Sequence, residues 1–216
     1  GAESELRAHE TVLATGGYAN DRSVTSLLQR YRPDLYALPT TNGAWATGDG
    51  MKMAMEIGAA SVDMEHVQVH PTGFVDPADA NSSTKVLCGE MMRGVGGILL
   101  TPVGERFVDE LKPRDKVVAA EAATGASEFA LVLSAAAAEE AGRHVELYLH
   151  KGLLVKLDGT PALAAWMGAA SRGGASADMA ALEARLNATL EAYNAAAATG
   201  ADTSGRSDFS NAPPAT

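Results

Sequence analysis

Four side chains that could do chemistry lie between positions 70 and 114, with glycines between them. They are one imidazole, one carboxylate and two guanidiniums, at His70, Glu90, Arg93 and Arg114. Arginine forks bind carboxylate oxygens two at a time and stay protonated at neutral pH. Because three cationic or hydrogen-bond-donating groups converge near one carboxylate, the sequence predicts a site for a small dianion. The expected substrate is a dicarboxylate.

Arg114 would be an unusual acid, because the pKa of a guanidinium exceeds about 12. It needs a carboxylate such as Glu90 to pass protons through it, and its permanent charge would also stabilise a developing carbanion. Taken alone, each residue has a simpler interpretation. An arginine at a helix start usually forms a surface ion pair, and a lone histidine such as His70 is usually structural.

The motifs around these residues follow a specific order. They are His-Pro-Thr at 70–72, Glu-x-x-Arg-Gly-x-Gly-Gly at 90–97, Gly-x-Arg-Phe at 104–107 and Arg-Asp at 114–115. This order resembles the flavoprotein subunits of succinate dehydrogenase and fumarate reductase, and above all the soluble, FAD-containing fumarate reductases. Two upstream stretches, 14–17 and 47–50, match flavin-contacting stretches of that family. The resemblance therefore predicts an FAD-dependent oxidoreductase that reduces fumarate to succinate.

The resemblance also implies a role for each residue. In the family, the residue matching Arg114 is the acid that protonates the substrate double bond while flavin N5 delivers hydride to the other carbon. The residues matching Glu90 and Arg93 resupply that proton, and the one matching His70 holds a substrate carboxylate. The family commonly places threonine immediately before the relay glutamate, where this chain has Gly89. Gly89 is thus a substrate-binding position whose hydroxyl contact is missing or comes from elsewhere.

The upstream stretches carry the expected cofactor contacts. The cofactor-binding residues implied by the resemblance are Ala14, Thr15, Gly16, Gly17, Thr47, Gly48 and Asp49. The apolar run 11–14 before the glycine pair predicts a buried parallel strand. The turn at 47–50 precedes a predicted helix from Met51 to Ile57 and would point amides at an anion or a cofactor edge. Asp49 could instead be only a helix cap.

The predicted fold class is α/β and α+β. Residues 1–72 are expected to form a segment of a discontinuous, Rossmann-like FAD-binding domain, and residues 73–216 an α+β capping domain. The sequence contains no G-x-G-x-x-G dinucleotide fingerprint. The family also places a second substrate histidine and arginine after the segment that resembles Tyr193–Asn211. We therefore expect a middle fragment of a longer enzyme.

Several local patterns predict elements that would position the site. Strands are expected at 62–70, ending in His70, and at 128–134, and a hairpin is expected from 97–101 and 106–110. Helices are expected to begin at Arg114 and after Asp178, and a third to cover 135–141. In the hairpin, Arg106 and Glu110 are expected to be solvated or paired residues. In the last helix, the stripe Met179, Leu182, Leu186, Leu190 and Tyr193 predicts core packing and not a cofactor site.

Composition excludes several classes of function. The net charge of −10 and the absence of a basic stripe argue against nucleic acid. The same charge would repel an anionic substrate at long range, so the attraction must come from nearby cations. The single cysteine, Cys88, excludes an internal disulfide, fits a reducing compartment and is expected to be a small buried hydrophobe without a metal cluster. No run predicts a signal peptide or a membrane span.

Other functions stay open on the sequence. An enzyme of the same superfamily could act on another carboxylate, as a urocanate reductase or an L-aspartate oxidase does, whereas a ketosteroid dehydrogenase would not need three such cations. The chain could also be a non-catalytic capping module in which the arginines and glutamate form ion pairs. The sequence names neither the electron donor nor the mode of flavin attachment.

Overall fold

The computed structural model describes residues 5–170 and 178–212. They fall into two compact units. The first contains the chain up to Val67 together with Asn81–Lys85, and the second contains Gln68–Ala80 and the chain from Val86 onward. The identification of these units with an FAD-binding segment and a capping domain stays a prediction.

The first unit contains short helices joined by long irregular segments. They are α1 (Leu27–Tyr31), a 3-10 helix (Pro33–Leu35) and α2 (Asp49–Glu56). The buried Asp21 holds this unit together, because its carboxylate accepts the Leu27 N–H at 2.8 Å and pairs with Lys52 Nζ at 2.8 Å. The predicted helix after the 47–50 turn is confirmed in α2.

Two predicted strands are wrong. Residues 11–14 form no strand, and Val12 and Leu13 are exposed. A parallel strand needs neighbouring strands to satisfy its backbone, and no described residue pairs with this segment. Residues 62–70 form no strand either. There Arg32 Nη1 takes the carbonyl oxygens of Glu65 and Val67, at 3.1 and 3.3 Å, so a side chain satisfies groups that a ladder would otherwise bind.

The second unit contains two small antiparallel sheets. Strand β1 (Gly73–Phe74) pairs with β2 (Val86–Leu87), and β3 (Ile98–Leu100) pairs with β4 (Ala130–Val132). Strand β4 confirms the strand expected at 128–134. The hairpin partner expected at 106–110 is wrong: it makes only an isolated bridge between Leu100 and Arg106. Side chains of that segment form buried ion pairs instead of a second strand face.

Six helices of the described residues surround these sheets. They are α3 (Met91–Gly94), α4 (Arg114–Thr124), α5 (Ala135–Ala141), α6 (Arg143–His150), α7 (Gly159–Ala170) and α8 (Met179–Thr199). Ser134 Oγ accepts the Ala137 N–H at the start of α5, and Asp178 accepts the Ala181 N–H at the start of α8, each at 3.0 Å. Helices α4, α5 and α8 therefore begin where the sequence predicted.

Two main cores organise the second unit. Helices α7 and α8 pack on the sheet of β3 and β4, where Leu182, Leu186 and Tyr193 are buried, which confirms the core interpretation of the α8 stripe. Met179 is more exposed than expected. A second core joins α3, α5 and α6 through Cys88, Met92, Val95, Ala137, Ala141, Val145 and Tyr148. This second core is the support on which the one-turn helix α3 rests.

The chain thus mixes helices and strands, as the sequence predicted at that coarse level. Within residues 5–170 and 178–212, no helix combines the length and apolarity that crossing a bilayer requires.

Candidate active site

Glu90 and Arg114 form an ion pair at the accessible side of the site. Arg114 is the first residue of α4, and its Nη2 donates to Glu90 Oε2 at 2.7 Å. Its Nη1 donates to Gln68 Oε1 at 2.6 Å. Both groups reach solvent, with side-chain exposures of 37% for Arg114 and 52% for Glu90. A guanidinium held from two sides on an accessible face can meet a ligand without leaving its carboxylate partner.

Glu90 and Arg93 lie three residues apart at helix α3. This spacing places them on one face of the turn, and Arg93 Nη2 donates to Glu90 Oε1 at 3.3 Å. Each oxygen of Glu90 therefore binds one arginine. The hydrogen bond from Arg114 lowers the pKa of the Glu90 carboxyl, and the charges of Arg114 and Arg93 act in the same direction. We call these three residues the Glu90 chain.

Arg93 is buried, and a second contact fixes its guanidinium on the side away from Glu90. Its Nη1 donates to the backbone carbonyl oxygen of Glu110. The Glu110 carboxylate is itself buried and accepts from Arg106 at 2.9 and 2.8 Å, from Arg206 at 3.0 Å and from the Leu99 N–H at 3.1 Å. Sequence reasoning expected Arg106 and Glu110 to be solvated or paired, and they are paired and buried.

Asp202 completes this buried group by accepting from Arg106 at 2.9 Å. We call Arg106, Glu110, Asp202 and Arg206 the Glu110 cluster. Both guanidiniums lie near the ring of Tyr193. Its centre is 4.7 Å from Arg106 Cζ and 5.7 Å from Arg206 Cζ. The cluster thus ties the loop after α8 to the backbone that anchors Arg93.

His70 lies in the second unit with the Glu90 chain. Its Nδ1 is 3.2 Å from the Thr72 N–H nitrogen and 3.0 Å from the Thr72 carbonyl oxygen, so the backbone occupies this ring nitrogen. Partial burial lowers the pKa of His70, and the charges of Arg114 and Arg93 lower it further. In the tautomer in which Nδ1 accepts from the Thr72 N–H, the ring proton lies on Nε2, which can donate to a ligand.

The backbone of Gly89 contacts helix α6. Its N–H donates to Tyr148 Oη at 3.2 Å, so Tyr148 occupies this backbone donor. A Cβ at position 89 would lie 3.5 Å from that hydroxyl, which is ordinary contact, so space alone does not require glycine. The structure shows where Gly89 lies, and its contact with substrate stays a prediction.

The two predicted cofactor stretches meet within the first unit. The Gly48 N–H donates to the Gly17 carbonyl oxygen at 3.1 Å. Gly50 lies so close to Thr15 that a Cβ there would be 2.1 Å from Thr15 Oγ1. Gly48 has a φ of 70° and precedes α2 without a side-chain cap, and Asp49 is the first helical residue. This contact brings the 14–17 stretch to the amino end of α2, and the binding of FAD by these residues stays a prediction.

The chemistry of this junction fits a dinucleotide. Gly16 and Gly17 have open space where their side chains would be, so a ligand could approach their backbone closely. The amino end of α2 offers N–H donors and a positive dipole end to a phosphate or a ring oxygen. Thr47 is half-buried beside it. These residues are thus suited to hold part of FAD through backbone contacts.

Sequence reasoning missed Glu121, which lies behind Arg93. Glu121 Oε1 and Arg93 Nε are both buried without a hydrogen-bond partner. Burial raises the pKa of Glu121 to about 7, although the charge of Arg93 acts in the opposite direction. Glu121 follows Arg114 by seven residues on α4, two helical turns along the same face, and that spacing was the available signal.

Cys88 is buried as expected, and burial raises the pKa of its thiol to about 11. Among residues 5–170 and 178–212, no group of three His, Cys, Asp or Glu side chains could hold a metal ion. The thiol is therefore a packing group beside the Glu90 chain.

Comparisons with known proteins point to one family. The model of the FAD binding domain family matches residues 1–215. A fumarate reductase of Schizosaccharomyces pombe is 52% identical over 146 residues, which make up 68% of this chain and 28% of that protein. A probable fumarate reductase of Shewanella frigidimarina is 34% identical over 205 residues, 94% of this chain and 31% of that protein.

Solved structures agree. The open conformation of a flavocytochrome c3 fumarate reductase matches with a TM-score of 0.67 at 30% identity, covering 93% of this chain and 32% of that chain. The chain thus spans a third or less of the length of these relatives. The prediction of FAD as the cofactor is confirmed by the family match. The chain belongs to the FAD binding domain family, and the relatives described above are named fumarate reductases.

Proposed function

We propose that this chain supplies the acid–base part of an enzyme that reduces fumarate to succinate. The observation that carries the proposal is the Glu90 chain, in which one carboxylate binds a buried and an accessible guanidinium through separate oxygens. The relatives named above are fumarate reductases, which favours this substrate over urocanate and L-aspartate and an enzyme over a non-catalytic module.

Arg114 is the proposed proton donor. It is the accessible end of the Glu90 chain, and its contacts with Glu90 and Gln68 fix the direction of its fork. A proton moves from a guanidinium nitrogen to one alkene carbon of fumarate, and Arg114 becomes neutral for the lifetime of that step. FAD, when bound in its reduced form, supplies the hydride that the other carbon needs.

Glu90 restores the proton that Arg114 has given. Glu90 is a carboxylate at rest, so it first takes a proton, from Arg93 at 3.3 Å or from solvent on its exposed side, and then passes that proton to the neutral guanidine at 2.7 Å. Arg93 stabilises that carboxylate and is the next group along the chain toward the protein interior. One proton thus enters the Glu90 chain for each one that leaves on succinate.

His70 and the arginines bind the substrate. The net charge of −10 repels a dianion at a distance, so cations close to the substrate must outweigh it. Arg114 offers its positive charge until it gives up the proton, and His70, with Nδ1 accepting from the Thr72 N–H, offers a hydrogen bond from Nε2 to one substrate carboxylate. Gly89 would lie along the same edge.

The two units divide the remaining work. The first unit would hold part of FAD through Ala14, Thr15, Gly16, Gly17, Thr47, Gly48 and Asp49, as a piece of a discontinuous Rossmann-like domain. The second unit would be the capping domain, which closes over substrate and excludes water. The electron donor lies outside what these residues indicate.

The experiment that tests the acid assignment is Arg114→Gln in the intact protein. Fumarate reduction should fall by at least about a hundredfold, because a neutral amide neither donates this proton nor carries the charge. Flavin absorption should be retained, since Arg114 is not among the proposed FAD contacts. The matched control is Arg143→Gln, on the exposed face of α6, which should leave both unchanged. Retained turnover in the Arg114 variant would contradict the proposal.

The fit of the cofactor is tested separately by the visible spectrum of the 216-residue chain with added FAD. Bound flavin that is reduced anaerobically and reoxidised by fumarate would show that this segment carries the reaction itself. Absence of bound flavin would assign the reaction to the longer protein and leave the Arg114 experiment as the deciding one.

A further inference from the structure

Tyr148 makes two backbone contacts that no motif predicted. It lies on α6 and is buried. Its hydroxyl accepts from the Gly89 N–H at 3.2 Å and donates to the Leu87 carbonyl oxygen at 3.1 Å. Its ring packs against Phe74 with centroids 4.6 Å apart. The hydroxyl of Tyr148 therefore binds the backbone of both residues that flank Cys88, Leu87 and Gly89.

The opposite side of this segment is held by Thr72. The Cys88 N–H donates to the Thr72 carbonyl oxygen at 3.2 Å, and Thr72 Oγ1 donates to the Cys88 carbonyl oxygen at 3.0 Å. The Gly89 carbonyl oxygen accepts the Met92 N–H at 2.9 Å. Every backbone polar group from the Leu87 carbonyl to the Gly89 carbonyl thus has a partner in the second unit.

This clamped segment lies between two proposed active-site residues. Thr72 binds His70 Nδ1 through its backbone, and the residue that follows Gly89 is Glu90. A shift of the Gly89 peptide would therefore move Glu90 relative to both His70 and Arg114. The Glu90 to Arg114 contact at 2.7 Å leaves little tolerance for such a shift.

We propose that Tyr148 is a positioning residue of the active site, which sets the place of Glu90 by fixing the Gly89 peptide through its hydroxyl. The Tyr148 hydroxyl binds backbone groups of Gly89 and Leu87, so the role that we assign to it is indirect. The inference rests on the proposed function, because the place of Glu90 matters for turnover only if the Glu90 chain carries the proton.

The test is Tyr148→Phe in the 216-residue chain, with no flavin or substrate present. The variant keeps the ring that packs on Phe74 and removes only the hydroxyl. Amide exchange at Gly89 should become about tenfold faster, because its hydrogen bond is lost. The carboxyl carbon of Glu90, followed by NMR against pH, should show a pKa that moves up toward that of an ordinary glutamate, as its contact with Arg114 loosens.

Tyr193→Phe is the matched control. Tyr193 is an equally buried tyrosine in the other core, and its hydroxyl has no hydrogen-bond partner. This variant should leave both the Gly89 exchange and the Glu90 titration unchanged. Both readouts are independent of turnover, so they can fail while the Arg114 experiment succeeds, or succeed while it fails.

A purely structural role gives a different result. Exchange would then quicken throughout the second unit, including β3 and β4, while Glu90 titrates as in the wild type. That outcome, or unchanged exchange at Gly89, would overturn the proposal. If Tyr148→Phe does not fold, 3-fluorotyrosine at position 148 replaces it. The more acidic phenol is a poorer acceptor, so Gly89 exchange should again quicken, and unchanged exchange would again overturn the proposal.

Discussion

The Glu90 chain and the Glu110 cluster use the same chemistry in opposite surroundings. Each has one glutamate bound by two arginines. Glu110 is fully buried and accepts four hydrogen bonds, whereas about half of the Glu90 side chain is exposed and it accepts two. The buried group is therefore suited to hold backbone in place, and the exposed one is suited to exchange protons. The two meet at Arg93, which contacts Glu90 with one nitrogen and the Glu110 carbonyl with another.

The largest effect is expected from Glu110→Ala, which tests whether the Glu110 cluster has a structural role. It leaves the guanidiniums of Arg106 and Arg206 buried without their shared carboxylate, so the free energy of unfolding should fall by about 3–5 kcal/mol. Urea denaturation measures this change. Glu139→Ala, on the exposed face of α5, is the control and should change stability by less than about 0.5 kcal/mol. Equal effects of the two variants would contradict the structural role of the Glu110 cluster.

Glu121→Gln should show an effect that depends on pH. The folded-state pKa of about 7 lies above the ordinary value, so the folded protein binds more protons than the unfolded chain between these values. Glu121 therefore lowers stability as pH rises from about 4.5 to about 7, by at most about 3 kcal/mol and by less where solvent screens this partly exposed carboxyl, and by a constant amount above that.

The variant should consequently be more stable than the wild type at pH 8 and similar to it at pH 4. Thermal unfolding at both pH values measures the difference. A difference that is the same at both pH values would show that Glu121 does not titrate in this range.

Glu90→Gln tests whether the Glu90 chain, unlike the Glu110 cluster, contributes little to stability. Because Glu90 is half exposed, its ion pairs are screened and the free energy of unfolding should change by no more than about 1 kcal/mol. Its pKa is lowered in the folded state, so this small contribution is present above the unfolded pKa and is lost as pH falls through the folded value.

In the intact protein the same Glu90→Gln variant should lower fumarate reduction at least about a hundredfold, since the amide cannot resupply a proton. A large loss of stability with normal turnover would reverse the roles assigned to the Glu90 chain and the Glu110 cluster. Urea denaturation and a fumarate-dependent oxidation assay measure the two effects separately.

The smallest effect is expected for Tyr193→Phe. The Tyr193 hydroxyl is buried without a hydrogen-bond partner, and its ring lies near the guanidiniums of Arg106 and Arg206. Removing it should leave the free energy of unfolding unchanged or raise it by up to about 1 kcal/mol. Urea denaturation tests this, and a clear loss of stability would show that the hydroxyl has a bonding role.

The sequence predicted the elements whose signals are local. The turn before α2, Arg114 at the start of α4, and the α8 stripe each rest on neighbours within one or two helical turns, and each is confirmed. The motifs also singled out the three residues of the Glu90 chain, which the structure places in contact. Their roles in catalysis stay predictions.

Non-local contacts could not be read in this way. Arg206 reaches Glu110 across 96 residues and Tyr148 reaches Gly89 across 59, and neither contact has a periodic signal. The strand expected at 62–70 was wrong for the same reason, because alternation shows a possible face but not whether a partner strand exists. The burial that raises the pKa of Glu121 likewise depends on packing that no local pattern reveals.

Helix α3 has only four residues, too few to persist in water by itself. Glu90 and Arg93 therefore adopt their spacing only after Met92 has docked between α5 and α6. An unfolded or partly assembled chain has the same residues but cannot transfer protons between them. The pKa of the Glu90 carboxyl group therefore reports whether α3 has docked. Following it during refolding would show when this part of the second unit becomes native.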